Sequence, residues 1–398
     1  MVYYMINSAD DNNVLRLSCP ICGEKENLEE LFFRDFSGAA GIVPFLSYKV
    51  YGCPKCGMMY AGDLIESQDI GAYYAKMSRY EGNSFVLSEK LKAFYNREAA
   101  FLLDKVGKDS RILDVGCAFG GLLAALKEQG FVNLYGLEPS AKNARYAMDN
   151  FGIEVINGGL SMGYIPSVRY DLVILSAVLE HLVDLHGVIE ELKQYLNPNG
   201  KLYLIVPDLD DFASHEDLYQ EFSVEHINYF NISSLSALLS KHGFVLQSSV
   251  QDSEALQGLS GNILALFELN DDCSQKYDTN VSFEVIKKYL QVSKQVADGI
   301  ATKIKTYSFN HGCYIWGAGT QTQMLFQLGL IKPSDVQLVI DANPNYHGEA
   351  FYGTHIVAPD ELLNRKDLPI IISSQYAQDT IERQIKDMQL KNKVYKLF

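Results

Sequence analysis

The chain has no run of apolar residues long enough to span a bilayer, so no membrane partner is expected. It also lacks an excess of positive charge: 34 Lys and Arg stand against 49 Asp and Glu, a net charge of −15. Tight nucleic-acid binding draws on Lys and Arg to neutralise phosphates. No basic cluster offsets the acidic balance, so nucleic acid is not an expected partner. The segment Met1 to Asp10 has no basic stretch followed by an apolar one, so it does not read as a secretory signal and a cytoplasmic enzyme is the expectation. What is present is length: 398 residues lead to two or three domains, with material for more than one core.

Cysteine is sparse but patterned. Four of the seven fall in Cys19-Pro20-Ile21-Cys22-Gly23 and Cys53-Pro54-Lys55-Cys56-Gly57. Two C-x-x-C turns about thirty residues apart read as a tetrahedral zinc site, each turn curling two thiolates toward one ion. A redox pair is the rival reading; the duplication and the flanking Pro and Gly favour metal. Four protein ligands leave no open position, so the zinc is expected to be structural. Cys117, Cys273 and Cys313 read as small buried hydrophobes.

The most informative stretch is Ile112-Leu113-Asp114-Val115-Gly116-Cys117-Ala118-Phe119-Gly120-Gly121, a short apolar run, an acidic residue and two glycines four apart. An amphipathic run, Leu122 to Glu128, follows. This predicts strand, tight turn and helix, with backbone amides offered to a polar or anionic ligand. A second strand-like run, Asn133 to Leu137, ends in Glu138, placed to accept hydrogen bonds from ribose hydroxyls. The spacing Gly116-x-x-x-Gly120 departs from the G-x-G-x-x-G of dinucleotide sites and suits a nucleoside with a short charged tail.

At these residues the chain resembles the class I methyltransferases that use S-adenosylmethionine. The similarity continues through Tyr170 to Ser176, Leu179-Glu180-His181-Leu182, Asn197-Pro198-Asn199-Gly200 and the strand Lys201 to Val206, covering roughly Ser110 to Glu268. The resemblance implies that the Gly116–Gly120 turn wraps the methionine part of the cofactor and that Glu138 holds its ribose. Asp114, Cys117 and Ser176 complete the expected cofactor contacts.

Three domains are expected: a zinc module over 1–72, whose small core leaves much of its stability to the metal; a methyltransferase domain over 73–270; and a C-terminal domain over 271–398. Within them, helices are expected over Leu87 to Val106, Ser233 to His242 with Ser233 as N-cap, and Ser282 to Lys305. A polar, aromatic excursion runs from Leu209 to Phe230. The last domain restarts the strand–turn–helix theme at Cys313 to Thr320, and its second strand runs to Ile340 and ends in Asp341. Its turn, Gly317-x-Gly319-x-x-Thr322, lacks the third glycine of a dinucleotide site and reads either as a nucleotide phosphate loop or as a packing turn.

The three-part layout resembles the sugar C-methyltransferases, which act on nucleotide-linked keto-deoxysugars. It carries the motif Val339-Ile340-Asp341-Ala342-Asn343-Pro344, with Gly348, Gly353-Thr354 and Ala358-Pro359-Asp360-Glu361-Leu362 after it. The implied fold is α/β: a class I methyltransferase Rossmann-like sheet, an N-terminal zinc module and a second, C-terminal Rossmann-like domain. Methylating a carbon beside a ketone needs a base and an oxygen-stabilising donor. The expected base is His226, in Ser223-Val224-Glu225-His226, with Glu225 as its partner; His181 is a second candidate. Tyr74, Tyr80 and Tyr229 are expected to meet the substrate. The alternative is O- or N-methylation of a sugar or other small molecule on the same scaffold.

Overall fold

The computed structural model describes residues 14–67, 70, 73, 88–160, 162, 164–253, 260–270, 283–308, 311–365 and 367–398. Its first sheet is antiparallel. It contains β1 (Val14–Leu15), β2 (Glu29–Asp35), β3 (Phe45–Gly52) and β4 (Met59–Glu66), in the order β1-β4-β3-β2.

The second sheet has seven strands. In chain order they are β5 (Arg111–Val115), β6 (Asn133–Glu138), β7 (Glu154–Asn157), β8 (Tyr170–Ser176), β9 (Leu196–Pro207), β11 (Phe244–Asp252) and β12 (Asn262–Leu269). The short β10 (Asn228–Tyr229) leaves this sheet and pairs antiparallel with β4. The order is β11-β12-β9-β8-β5-β6-β7. The five strands from β5 to β9 run parallel, and the β11–β12 hairpin closes one edge antiparallel. The unbroken apolar run of β8 explains its central place, because a parallel strand covered on both faces has no polar side to show. From β5 the chain winds outward to β6 and β7, then returns to the other side for β8 and β9. The switch point therefore lies between β5 and β8, and the crevice beyond their carboxyl ends is where such sheets hold ligands.

Among the described residues five helices serve this part. They are α1 (Glu89–Phe101), α2 (Gly121–Glu128), α3 (Ala141–Phe151), α4 (Leu185–Tyr195) and α5 (Ile232–Ser240). The expected cap at Ser233 is corrected. Asn231 caps α5, its side chain accepting from Ser234 N while Ser234 Oγ accepts from Asn231 N. The extended backbone at Asn231 lets a short amide close this reciprocal pair two residues earlier.

After α6 (Glu284–Lys305) comes a third sheet. Its strands are β13 (Cys313–Trp316), β14 (Val336–Ile340), β15 (Ala350–Phe351), β16 (Thr354–Val357), β17 (Ile370–Ile372) and β18 (Val394–Lys396), in the order β15-β16-β14-β13-β17-β18. All its pairings are parallel except β15 with β16. The helices α7 (Thr320–Gln327) and α8 (Gln378–Asp387) belong to it.

The N-terminal sheet does not rest on a small core of its own. Phe36, Tyr48 and Val50 share one apolar cluster with Phe222 and Tyr289, and with Ile315 and Phe351 of the last segment. Cys19, Cys53 and Tyr60 join a second cluster with Leu179, Val188 and Phe230. Strand β4 is buried on both faces over most of its length, so the module is held by its neighbours as well as by its cysteines. Among the described residues no helix is long and apolar enough to cross a membrane.

Candidate functional site

The four patterned cysteines converge. Their sulfurs all lie within 4.8 Å of one another, with Cys19 Sγ 3.5 Å from Cys56 Sγ and Cys22 Sγ 3.4 Å from Cys53 Sγ. A tetrahedral ion with zinc–sulfur bonds of about 2.3 Å would set the sulfurs about 3.8 Å apart. Each turn closes through an amide, Gly23 N to Cys19 O and Gly57 N to Cys53 O, both 2.9 Å. The left-handed φ of +73° at Gly23 and +74° at Gly57 is what those turns require. The hydrogen bond from Cys56 draws the Cys19 thiol down to about 5, burial pushes Cys53 up to about 12, and the bond it gives to Cys19, then burial, raises Cys56. Cys53 and Cys56 therefore keep their protons in the protein alone, and a divalent cation is the group that would ionise them as ligands.

At the switch point, Gly116 (φ +76°), Ala118 (φ +46°) and Gly120 (φ +82°) bend the chain between β5 and α2. A Cβ at Gly116 would sit 2.8 Å from Val178 Cγ2, and one at Gly120 2.8 Å from Ala147 Cβ, so the loop tolerates no side chain at either place. Glu138, at the end of β6, locks this bend: Ala118 N donates to one carboxylate oxygen and Ser140 N to the other, both at 2.9 Å. Asp114 is 2% exposed, and burial, reinforced by the charge on Glu138, pushes it up to about 7.

Across the crevice, Ser176 Oγ donates to the Glu98 carboxylate at 3.3 and 3.4 Å. Glu98 lies on α1, is 1% exposed, and is raised well above the usual carboxylate range by burial and then by Asp114. Sequence reading missed it, although it falls one turn beyond Phe94 on the buried stripe of α1. The Cys117 thiol packs into the core instead: a Cβ at Gly136 would stand 2.6 Å from its sulfur.

Both candidate histidines emerge just beyond the carboxyl ends of adjacent parallel strands. His181 ends the short turn Leu179–His181 after β8, and His226 lies in the excursion after β9. That excursion is pinned at its base by Leu209 N to Phe230 O, 2.8 Å. The two rings meet edge to face with centroids 4.8 Å apart. His181 Nδ1 lies 3.2 Å from Glu225 O, so this nitrogen carries the proton; His181 Nε2 is 3.8 Å from Glu180 Oε1. Donor atoms of Glu180, His181 and His226 fall within 4.8 Å of one another. The Glu225 carboxylate accepts from Tyr73 OH at 2.7 Å.

The two loops carrying the histidines are stapled together. Asn228 Nδ2 donates to Leu179 O at 3.0 Å and Leu182 O at 2.9 Å, and Ile227 N donates to Glu180 O at 2.9 Å. Arg16 donates to Leu182 O, Val183 O and Ile227 O at 2.6–3.1 Å. Ser223 Oγ receives His226 N at 3.0 Å, while Tyr48 OH reaches Ser223 O at 2.7 Å. Tyr229 is 2% exposed, and its hydroxyl donates to His226 O at 3.0 Å, beneath the histidine segment. Tyr74 and Tyr80 lie outside the described residues.

The C-terminal segment repeats the lock of the first glycine turn. Asp341, after β14, accepts from Ala318 N at 2.9 Å and from Asn343 N at 2.8 Å, beside Gly317 with φ +119°.

Residues 87–249 match the family model described as a methyltransferase domain. This stretch is an S-adenosylmethionine-dependent methyltransferase domain. The chain is 23% identical over 244 residues to the C-methyltransferase NovU of Streptomyces niveus, a match covering 56% of this chain and 55% of that protein. It is 32% identical over 120 residues to the ubiquinone biosynthesis O-methyltransferase of Rickettsia prowazekii (strain Madrid E), covering 28% of this chain and 42% of that one. The chain thus spans about half the length of the curated relatives it matches. An S-adenosylmethionine dependent methyltransferase structure from Mesorhizobium loti aligns with 42% of this chain and 96% of its own, at 17% identity and a TM-score of 0.35. Beyond the methyltransferase domain, residues 309–395 match the model described as C2185-like, N-terminal.

Proposed function

We propose that the chain moves the methyl group of S-adenosylmethionine to a carbon of a nucleotide-linked keto-deoxysugar. The observation that carries this is the pair His181 and His226, braced from three elements at the carboxyl edge of the sheet beside the switch point. When bound, the cofactor supplies an electrophilic methyl on a sulfonium, so oxygen and nitrogen acceptors need mainly positioning. A carbon acceptor needs a proton removed first, and two adjacent imidazoles provide for that.

In this reading His226 takes the proton from the carbon beside the ketone. His181, held through Nδ1 by Glu225 O, keeps its other nitrogen toward the same space. Glu225 is tied to Tyr73, so it steadies the segment and does not relay the proton. Glu138 accepts the ribose hydroxyls of the cofactor, and the Gly116–Gly120 bend passes its methionine part over β5. The four cysteines hold one structural zinc. The C-terminal sheet, with its Asp341-locked glycine turn, is a second Rossmann-like unit and receives the nucleotide of the substrate. The name of the Streptomyces relative, a C-methyltransferase, supports carbon as the acceptor. The name of the Rickettsia relative favours a second reading, O-methylation.

The two readings separate in heavy water. With a nucleotide-linked keto sugar and S-adenosylhomocysteine in place of the methyl donor, carbon methylation predicts deuterium uptake at the carbon next to the ketone, read by mass spectrometry. Absence of exchange there, together with a methylated hydroxyl or amine once S-adenosylmethionine is supplied, would overturn the carbon assignment. Glu138→Ala is expected to weaken S-adenosylmethionine binding by about tenfold or more, because it removes the ribose acceptor and frees the two amides that set the bend. An unchanged Kd by calorimetry would remove that role.

A further inference from the structure

Two carboxylates lie buried beside the switch-point bend, and among the described residues the cation that acts on Glu98, Arg97, is already committed to another acid. Asp114 is the next-to-last residue of β5, beside the glycine bend, and its Oδ1 has no hydrogen-bond partner although the residue is 2% exposed. Glu98, on α1, is 1% exposed and is held by Ser176 Oγ at the end of β8. The nearest cation on the same helix, Arg97, is engaged elsewhere, with Nε 2.9 Å from Asp252 Oδ2. A buried carboxylate without a counter-charge is unfavourable unless a ligand supplies one.

The direction of the ligand says which charge arrives. Glu138 stands over β6, on one side of the bend, and marks the ribose end. The methionine part then crosses β5 toward β8, where Ser176 and Glu98 wait. We propose that Glu98, with Asp114, receives the ammonium group of the cofactor's methionine part, Ser176 orienting the Glu98 carboxylate. This rests on reading the Gly116–Gly120 bend as the cofactor site. It assigns the anchor of the cofactor tail to α1, the helix that precedes the sheet.

The site should also move a proton. The charged and titratable groups around Glu98 are Asp114 on β5, Arg97 on α1, Asp252 on β11 and Tyr203 on β9. Burial and Asp114 hold the Glu98 carboxyl protonated well above its usual range, and Asp114 itself is pushed up to about 7. A bound ammonium favours the ionised forms, so binding expels a proton. As pH falls through about 7 Asp114 becomes neutral, and affinity for an ammonium-bearing ligand falls with it.

The test uses the full chain and three ligands in calorimetry: S-adenosylmethionine, S-adenosylhomocysteine, which keeps the ammonium but has a neutral sulfur, and methylthioadenosine, which lacks the amino-acid tail. Glu98→Gln should weaken the first two in parallel, by about tenfold or more, and leave methylthioadenosine unchanged. In the unaltered protein, heats measured in buffers of different ionisation enthalpy should show proton release with S-adenosylhomocysteine and none with methylthioadenosine. That second measurement stands even if the variant folds poorly. Affinity of Glu98→Gln for the first two ligands unchanged from the unaltered protein overturns the assignment. So does loss for S-adenosylmethionine alone, which would put the carboxylate on the sulfonium, or equal loss for all three. If the unaltered protein bound none of the three, the cofactor reading itself would fall.

Discussion

His226→Ala is expected to lower methyl transfer by about 100-fold or more, roughly 2.7 kcal/mol of barrier, while the affinity for S-adenosylmethionine stays nearly unchanged. The separation follows from geometry. The backbone of this segment is fixed without the imidazole: Ser223 Oγ holds His226 N, Tyr229 OH holds His226 O, and Arg16 and Ala61 N hold Ile227 O. Truncating the ring therefore removes a base without releasing the loop. The glycine bend and Glu138 lie at a different strand end and keep their own contacts. Deuterium exchange at the substrate carbon should disappear along with turnover. Near-normal turnover in this variant would falsify the role of His226 and shift attention to His181, whose ring packs against it.

Removing the metal should have an effect as large, reached by a different route. The purified chain is expected to hold about one zinc, and the pair Cys53→Ser with Cys56→Ser, or a strong chelator, should abolish it. Turnover should then fall with the metal, because the N-terminal module helps to build the histidine segment. Strand β10, Asn228–Tyr229, pairs with Tyr60 and Met59 of β4, directly after Cys56 in sequence. Arg16, just before the first cysteine turn, bonds the carbonyls of both histidine loops. Opening the cysteine cluster slackens both ties. Cofactor affinity should decline much less than turnover, since β5, β6 and the glycine bend lie in the other sheet. Metal content, thermal melting, calorimetry and turnover measured on one preparation decide it. Full activity in protein shown to be metal-free would separate the module from the site.

Local chemistry made part of this molecule readable in advance. A glycine at left-handed φ, an acid at a strand end and paired C-x-x-C turns are short-range requirements, written within a few residues of where they act. The turn Gly116–Gly120, the strand ending in Glu138 and the convergent cysteines are of that kind. Other residues had roles that no local pattern announces. Tyr229 carries the aromatic signature of a substrate contact, yet it lies in the core and bonds the carbonyl of His226. Cys117 sits in the most telling motif, yet its thiol fills the space left by Gly136. Glu98 looked like one more helix acid until the fold set it beside Asp114 and Ser176.

The order of strands, the glycine bends and the cysteine turns were determined by the sequence alone, because backbone freedom and hydrophobic period act between near neighbours. Tertiary structure decided which side chains met. It brought Arg16, Asn228 and Tyr48 from distant segments onto the two histidine loops, and it drew β10 out of the central sheet onto β4. It also set two carboxylates in a shared dry space. Such contacts depend on how whole sheets pack, and packing joins residues as far apart in the chain as Arg16 and Ile227, leaving no period or spacing to read.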